Sequence, residues 1–98
     1  MIVVIFEAEP KPGMQDAYLA LAAELKPLVE GIDGFLGIER FESLATPGRV
    51  LSLSWWRDEE AVRAWREMER HRAAQRKGRE QLFASYRVRV AHVVRESS

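Results

Sequence analysis

The first apolar run of this chain, Ile2-Val3-Val4-Ile5-Phe6, has no polar face. Strand side chains alternate between the two faces of a sheet. Ile2, Val4, Phe6 and Ala8 therefore point one way and Val3 and Ile5 the other, and both sets are apolar. The last extended run behaves similarly, with Tyr86, Val88 and Val90 on one face and Ala91 and Val93 on the other, although Arg87 and Arg89 lie nearer its start. A third run sets Leu51, Leu53 and Trp55 against Val50, Ser52, Ser54 and Trp56. An antiparallel sheet with one wet face alternates apolar and polar residues. This sheet needs cover on both sides.

Only two segments have helical periodicity. From Met14 to about Ile32 the residues Met14, Ala17, Tyr18, Leu21, Leu25, Leu28 and Ile32 recur at spacings of three and four, which makes one apolar stripe. Pro27 falls inside it and predicts a kink, and Gly31-Ile32-Asp33-Gly34 predicts the stop. The second helix starts after Asp58, a suitable N-cap, with Glu59 and Glu60 at the positive end of the helix dipole. It carries Ala61, Val62, Trp65 and Met68 on one side, and Gly78 marks a possible break. Strands are predicted at Ile2 to Ala8, Phe35 to Leu44, Arg49 to Trp56 and Ser85 to Val94, with Pro10, Pro12 and Gly13 ending the first. Thr46-Pro47-Gly48 makes a tight hairpin turn. The order β-α-β-β-α-β over residues 1–98 predicts one ferredoxin-like α+β domain with a four-stranded antiparallel sheet. Two helices cover one face of such a sheet. A second copy of the chain, packed sheet to sheet as a homodimer, is the simplest cover for the other.

Composition removes several function classes. Fifteen basic residues balance fifteen acidic ones, so no nucleic-acid partner is expected, because phosphate binding rests on surplus Lys and Arg. There is no cysteine, which excludes disulfides, thiolate zinc sites and cysteine nucleophiles and fits a cytoplasmic protein. The six-residue apolar start lacks a basic segment before it and is not expected to be a signal peptide. No stretch approaches the roughly 20 apolar residues of a membrane span. No P-loop, metal-binding histidine pair or nucleophile elbow is present.

Asp33-Gly34-Phe35, the hairpin ending in Trp56, the run Asp58-Glu59-Glu60-Ala61-Val62-Arg63-Ala64-Trp65 and the later His71-Arg72-Ala73-Ala74-Gln75 together resemble the antibiotic biosynthesis monooxygenase (ABM) domain family. The resemblance spans nearly the whole chain and implies a dimeric α+β barrel. It also implies an oxidoreductase with no metal or flavin of its own. A small electron-rich aromatic or quinol-type substrate reduces oxygen itself once deprotonated, inside a dry aromatic pocket with a proton-transfer group. Haem degraders of that family have a helix histidine on the iron, a first-strand asparagine and a second-helix tryptophan. The tryptophan corresponds to Trp65, but the histidine position holds Gln75 and the asparagine position Phe6. Glutamine is no practical axial ligand, so no haem cofactor is expected.

The candidate catalytic residues are His71, whose ordinary pKa of about 6.5 suits proton transfer near neutrality, and Trp65. Trp56, Phe6 and Tyr86 are candidates for the pocket wall, Tyr86 with a hydroxyl for an anionic substrate. Trp55 and Trp56 must face opposite sides of the sheet, and the resemblance places Trp56 nearer the pocket. Ser52 and Ser54 are polar on an otherwise apolar strand and are candidate ligand donors. His92 is expected at an interface or the surface. Arg87 and Arg89 are expected to pair with Glu7, Glu39 or Glu42. The arginine-rich stretch from Arg63 to Arg79 has mainly the pattern of a solvated helix face, with a basic patch for an acidic ligand, such as a carboxylate or haem propionate, as the alternative. A binding dimer that sequesters a small apolar or aromatic molecule without turnover fits the same pocket residues.

Overall fold

The computed structural model describes residues 1–75 and 82–98, with side chains for 1–69 and 82–98. The elements are β1 (Ile2–Pro10), α1 (Gln15–Glu30), β2 (Phe35–Glu42), β3 (Val50–Trp56), α2 (Glu59–Gln75) and β4 (Phe83–His92). The strands form one sheet in the order β2-β3-β1-β4, and every neighbouring pair is antiparallel. This is the expected ferredoxin-like α+β arrangement. No described helix is long and apolar enough to cross a membrane.

The ends of the elements differ from expectation where tertiary pairing overrides local sequence. β1 was expected to stop at Ala8 but runs to Pro10. The β3 ladder has ended at Ala8 opposite Val50, so Glu9 and Pro10 pair only with β4, and the register shifts between them. A strand tolerates proline at such a one-sided, irregular position. Beyond it the Lys11 N–H donates to the Leu82 carbonyl at 2.8 Å. The same pairing draws Phe83 into β4, two residues before the expected start. At the other end β4 stops at His92, because β1 begins at Ile2 and offers no further ladder. β2 likewise ends at Glu42, and Leu44 is fully exposed.

α1 starts at Gln15 without a side-chain cap and continues through Pro27 to Glu30. Asp58 does cap α2: its Oδ1 accepts the Ala61 N–H at 2.9 Å. That bond, and then the Arg57 guanidinium, hold the Asp58 carboxyl below its ordinary pKa. Arg57 also bonds Asp33 at 3.1 Å and Asp58 at 3.1 Å. Asp33 and then Asp58 hold its pKa above the usual value. The segment leading into β2 is thereby tied to the start of α2.

Both helices cover the face carrying Ile2, Val4, Phe6 and Ala8. One buried cluster joins Ile2 and Trp56 to Val29 of α1 and to Ala61 and Val62 of α2. A second joins Ala8, Tyr18 and Phe83. The opposite face carries Val3, Ile5, Leu51, Leu53 and Trp55, all half-buried within one chain, and the exposed Phe41. Glu7 sits on that face between Arg49 at 3.3 Å and Arg89 at 3.4 Å, so Arg89 pairs with one of its expected partners.

Gly34 adopts φ +95°, and a Cβ there would lie 2.7 Å from the Ala61 Cβ. Its carbonyl accepts the Arg57 N–H at 2.7 Å. Gly34→Ala is expected to cost about 1–2 kcal/mol for the left-handed backbone alone, and more for the contact with α2. Chemical denaturation measures this as a lower midpoint with an unchanged slope.

Candidate functional site

The two buried clusters do not meet. Between them, under α1 and α2, lies a cavity of about 540 Å³, within the usual range for small-molecule sites. Alternation along the strands decides its floor. Val4 and Phe6 of β1 stand opposite Ser54 and Ser52 of β3 on one side and opposite Val90 and Val88 of β4 on the other. Ile38 and Arg40 of β2 continue the same rows beside Ser54 and Ser52. Helical spacing decides the α2 wall, where Val62, Trp65, Arg66 and Glu69 follow at intervals of three and four. Leu21, Leu25 and Lys26 of α1 close the other side.

Trp56 is completely buried. A buried indole N–H needs an acceptor, and Trp56 Nε1 donates to Ser54 Oγ at 2.9 Å. The acceptor comes from the same strand two residues earlier, hence from the same face. Because Ser54 Oγ accepts this bond, its own O–H is left to donate toward the cavity. Ser52, 7% exposed, also lines the cavity. Its hydroxyl has no hydrogen-bond partner among the described residues.

The remaining walls are aromatic. Phe6 lies 5.6 Å from Phe83 and 6.1 Å from Tyr86, ring centre to ring centre, and Tyr18 lies 5.4 Å from Phe83. Phe35 packs edge-on against Trp56 at 5.2 Å. These tilted and edge-to-face geometries are the favourable ones for aromatic pairs.

The structure brings Phe6, Ser52, Ser54, Trp56, Trp65 and Tyr86 to this one cavity. Trp56 faces the helices and Trp55 the opposite side. The His71 side chain lies outside the described residues, as do those from Arg70 to Gln75; Gly78 falls in the segment 76–81, which is also outside them. His92 is at the surface, with Nε2 3.2 Å from Glu59 Oε1 and both groups well exposed. Arg63 is solvated as expected, whereas Arg66 turns to the cavity. The sequence reading missed Arg40, Glu69 and Phe83, and had Arg66 only as part of a basic stretch. Arg40 had a usable signal: strict alternation back from the hairpin puts it in the row of Ser52.

These features define a ferredoxin-like domain with a ligand-sized aromatic cavity between its helix layer and its sheet. A family model described as antibiotic biosynthesis monooxygenase matches residues 1–77, and the chain belongs to that family. It is 45% identical over 93 residues to a protein of Pyricularia oryzae named jasmonate monooxygenase ABM, covering 95% of this chain and 43% of that one. The chain thus spans less than half of that relative's length. Among solved structures it is similar to Rv0793 from Mycobacterium tuberculosis, with a TM-score of 0.82, 22% identity and coverage of 99% and 98%. It is also similar to the haem degrader MhuD from the same organism, solved with two haems bound, with a TM-score of 0.75, 20% identity and full coverage of both chains. At such identities these two share the fold.

Ser54→Ala leaves the Trp56 indole N–H buried without its acceptor, a loss of about 1–3 kcal/mol. The expected result is a lower denaturation midpoint and a changed tryptophan emission. Unchanged values of both would show that the bond contributes nothing.

Proposed function

We propose that the protein is a cofactor-independent monooxygenase acting on a small aromatic or quinol-type substrate held in the cavity. The observation that carries this is the pairing of aromatic walls with serine hydroxyls on one buried floor. The monooxygenase named among its relatives supports the reaction type. The walls exclude water and hold a flat apolar ring. The hydroxyl of Ser54 donates to an oxygen that gains negative charge when the substrate is deprotonated. Conversion of an activated CH₂ to a carbonyl gives up four electrons. Oxygen takes all four, one atom entering the product and one leaving as water, so the substrate is its own reductant.

Haem does not fit this site. Phe6 fills the place of the asparagine of haem degraders with a ring packed on Phe83 and Tyr86, and Gln75 stands where the ligating histidine would be. Proton transfer is assigned to His71 by residue type, and among the described residues Glu69 is the carboxylate that lines the cavity. A homodimer through the outer sheet face completes the proposal, because Leu53, Trp55 and Phe41 otherwise leave an apolar surface to water. A cytoplasmic location fits the cysteine-free sequence.

Oxygen uptake with a panel of anthrones and quinols tests the activity. His71→Ala is expected to lower kcat about a hundredfold with ligand affinity unchanged. An unaffected His71→Ala together with an inactive Glu69→Gln moves the proton to Glu69. Binding without oxygen uptake for every compound would favour a sequestering protein.

For the dimer, light scattering is expected to give twice the chain mass, and Leu53→Glu the mass of one chain. A monomeric wild type would remove this part of the proposal.

A further inference from the structure

The cavity is apolar in its depth and cationic at its mouth. Among its described lining residues Lys26, Arg40 and Arg66 are basic and Glu69 alone is acidic. Lys26 reaches Glu30 only at 4.0 Å, in an exposed pair of the kind that contributes little. Neither Arg40 nor Arg66 makes an ion pair among the described residues.

Arg40 is the informative one. It sits on β2 directly opposite Ser52 on the cavity side of the sheet. Such cross-strand neighbours have Cβ atoms about 4.5–5.5 Å apart. Ser52 is 7% exposed, and its hydroxyl lines the cavity without a hydrogen-bond partner among the described residues. A guanidinium at the rim and a hydroxyl just inside it therefore face the same small volume.

We infer that Arg40 and Ser52 form an anchor for the carboxylate of an amphipathic ligand, whose apolar ring lies deeper against Val4, Trp56 and Trp65. The inference rests on the cavity being the substrate site and narrows the substrate class to ring-bearing carboxylates. A permanent charge suits this position better than a transient one. Arg40 is exposed to water, so a carboxylate held there keeps part of its hydration. One of its oxygens takes the charge-assisted bond from Arg40 and the other the hydroxyl of Ser52. An anion formed during the reaction would instead sit at the reacting carbon, deeper in the cavity. Arg66, on the opposite wall, adds to the positive potential at the entrance and draws anionic ligands toward it.

Calorimetric titration of 2-naphthylacetate and its methyl ester tests this, since the two differ in charge and little in shape. The wild-type protein is expected to bind the acid about tenfold or more tightly than the ester. In Arg40→Gln that preference is expected to fall below about threefold, with the ester binding as before. Ser52→Ala is expected to reduce it in part. Because Arg40 is exposed and makes no ion pair among the described residues, the glutamine variant should fold as the wild type does, and ester binding reports that directly. Equal binding of acid and ester by the wild type, or a full preference surviving in Arg40→Gln, overturns the carboxylate anchor. Oxygen uptake with uncharged quinols would still stand in that case. If neither compound binds, the cavity is not a ligand site for ring compounds, and the anchor and the proposed substrate class fall together.

Discussion

The bond from the Trp56 indole to Ser54 ties the fold to the cavity. Trp56 is the largest fully buried side chain, and it touches β1, α1 and α2 at once through Ile2, Val29, Ala61 and Val62. Its ring holds both helices to one end of the sheet. Its N–H would carry a desolvation penalty there without an acceptor. Ser54 removes that penalty and, in doing so, presents a hydroxyl to the cavity. One residue pair therefore closes the core on one side and makes the site polar on the other. A valine at position 54 would fill the same strand position but leave the indole unpaired.

The doubly apolar strands impose a second demand. The helix-facing row is covered, while among the described residues the outer row of Val3, Ile5, Leu53 and Trp55 is half-buried beside its strand neighbours. Glu7 is instructive here. A carboxylate amid apolar side chains is costly unless paired, and it is held between Arg49, just before β3, and Arg89 of β4. The two guanidinium groups keep this carboxylate paired on an otherwise apolar face.

The fold was legible because alternation and helical spacing are strong in this chain. Asp58 fulfilled its capping signature, and the helical faces of Ala61, Val62, Trp65 and Met68 came out as read. Element ends were not legible, because they are decided by partners. Pro10 is in a strand only because β4 continues past the end of β3, and Phe83 joins β4 only because Pro10 lies opposite. The aromatic and serine members of the site were legible as breaks in pattern: two serines in an apolar row, and two tryptophans that had to point apart. Arg40, Arg66 and Glu69 looked like ordinary surface charges, since nothing local distinguishes a charge beside water from one beside a cavity mouth.

The cavity itself constrains what the protein can be. The cavity of about 540 Å³ opens to solvent at its mouth, so it is filled by water, by ligand, or by both in turn. Water is well accommodated at the rim, where Arg40, Arg66 and Glu69 offer partners, and near Ser52. It is poorly accommodated against Val4, Leu21 and Leu25, whose side chains offer none. Water in that inner part is therefore the least strongly held, and displacing it with an apolar ring is favourable. The same division into a wet, charged mouth and a dry, aromatic interior gives the cavity the polarity that an amphipathic ring compound would match.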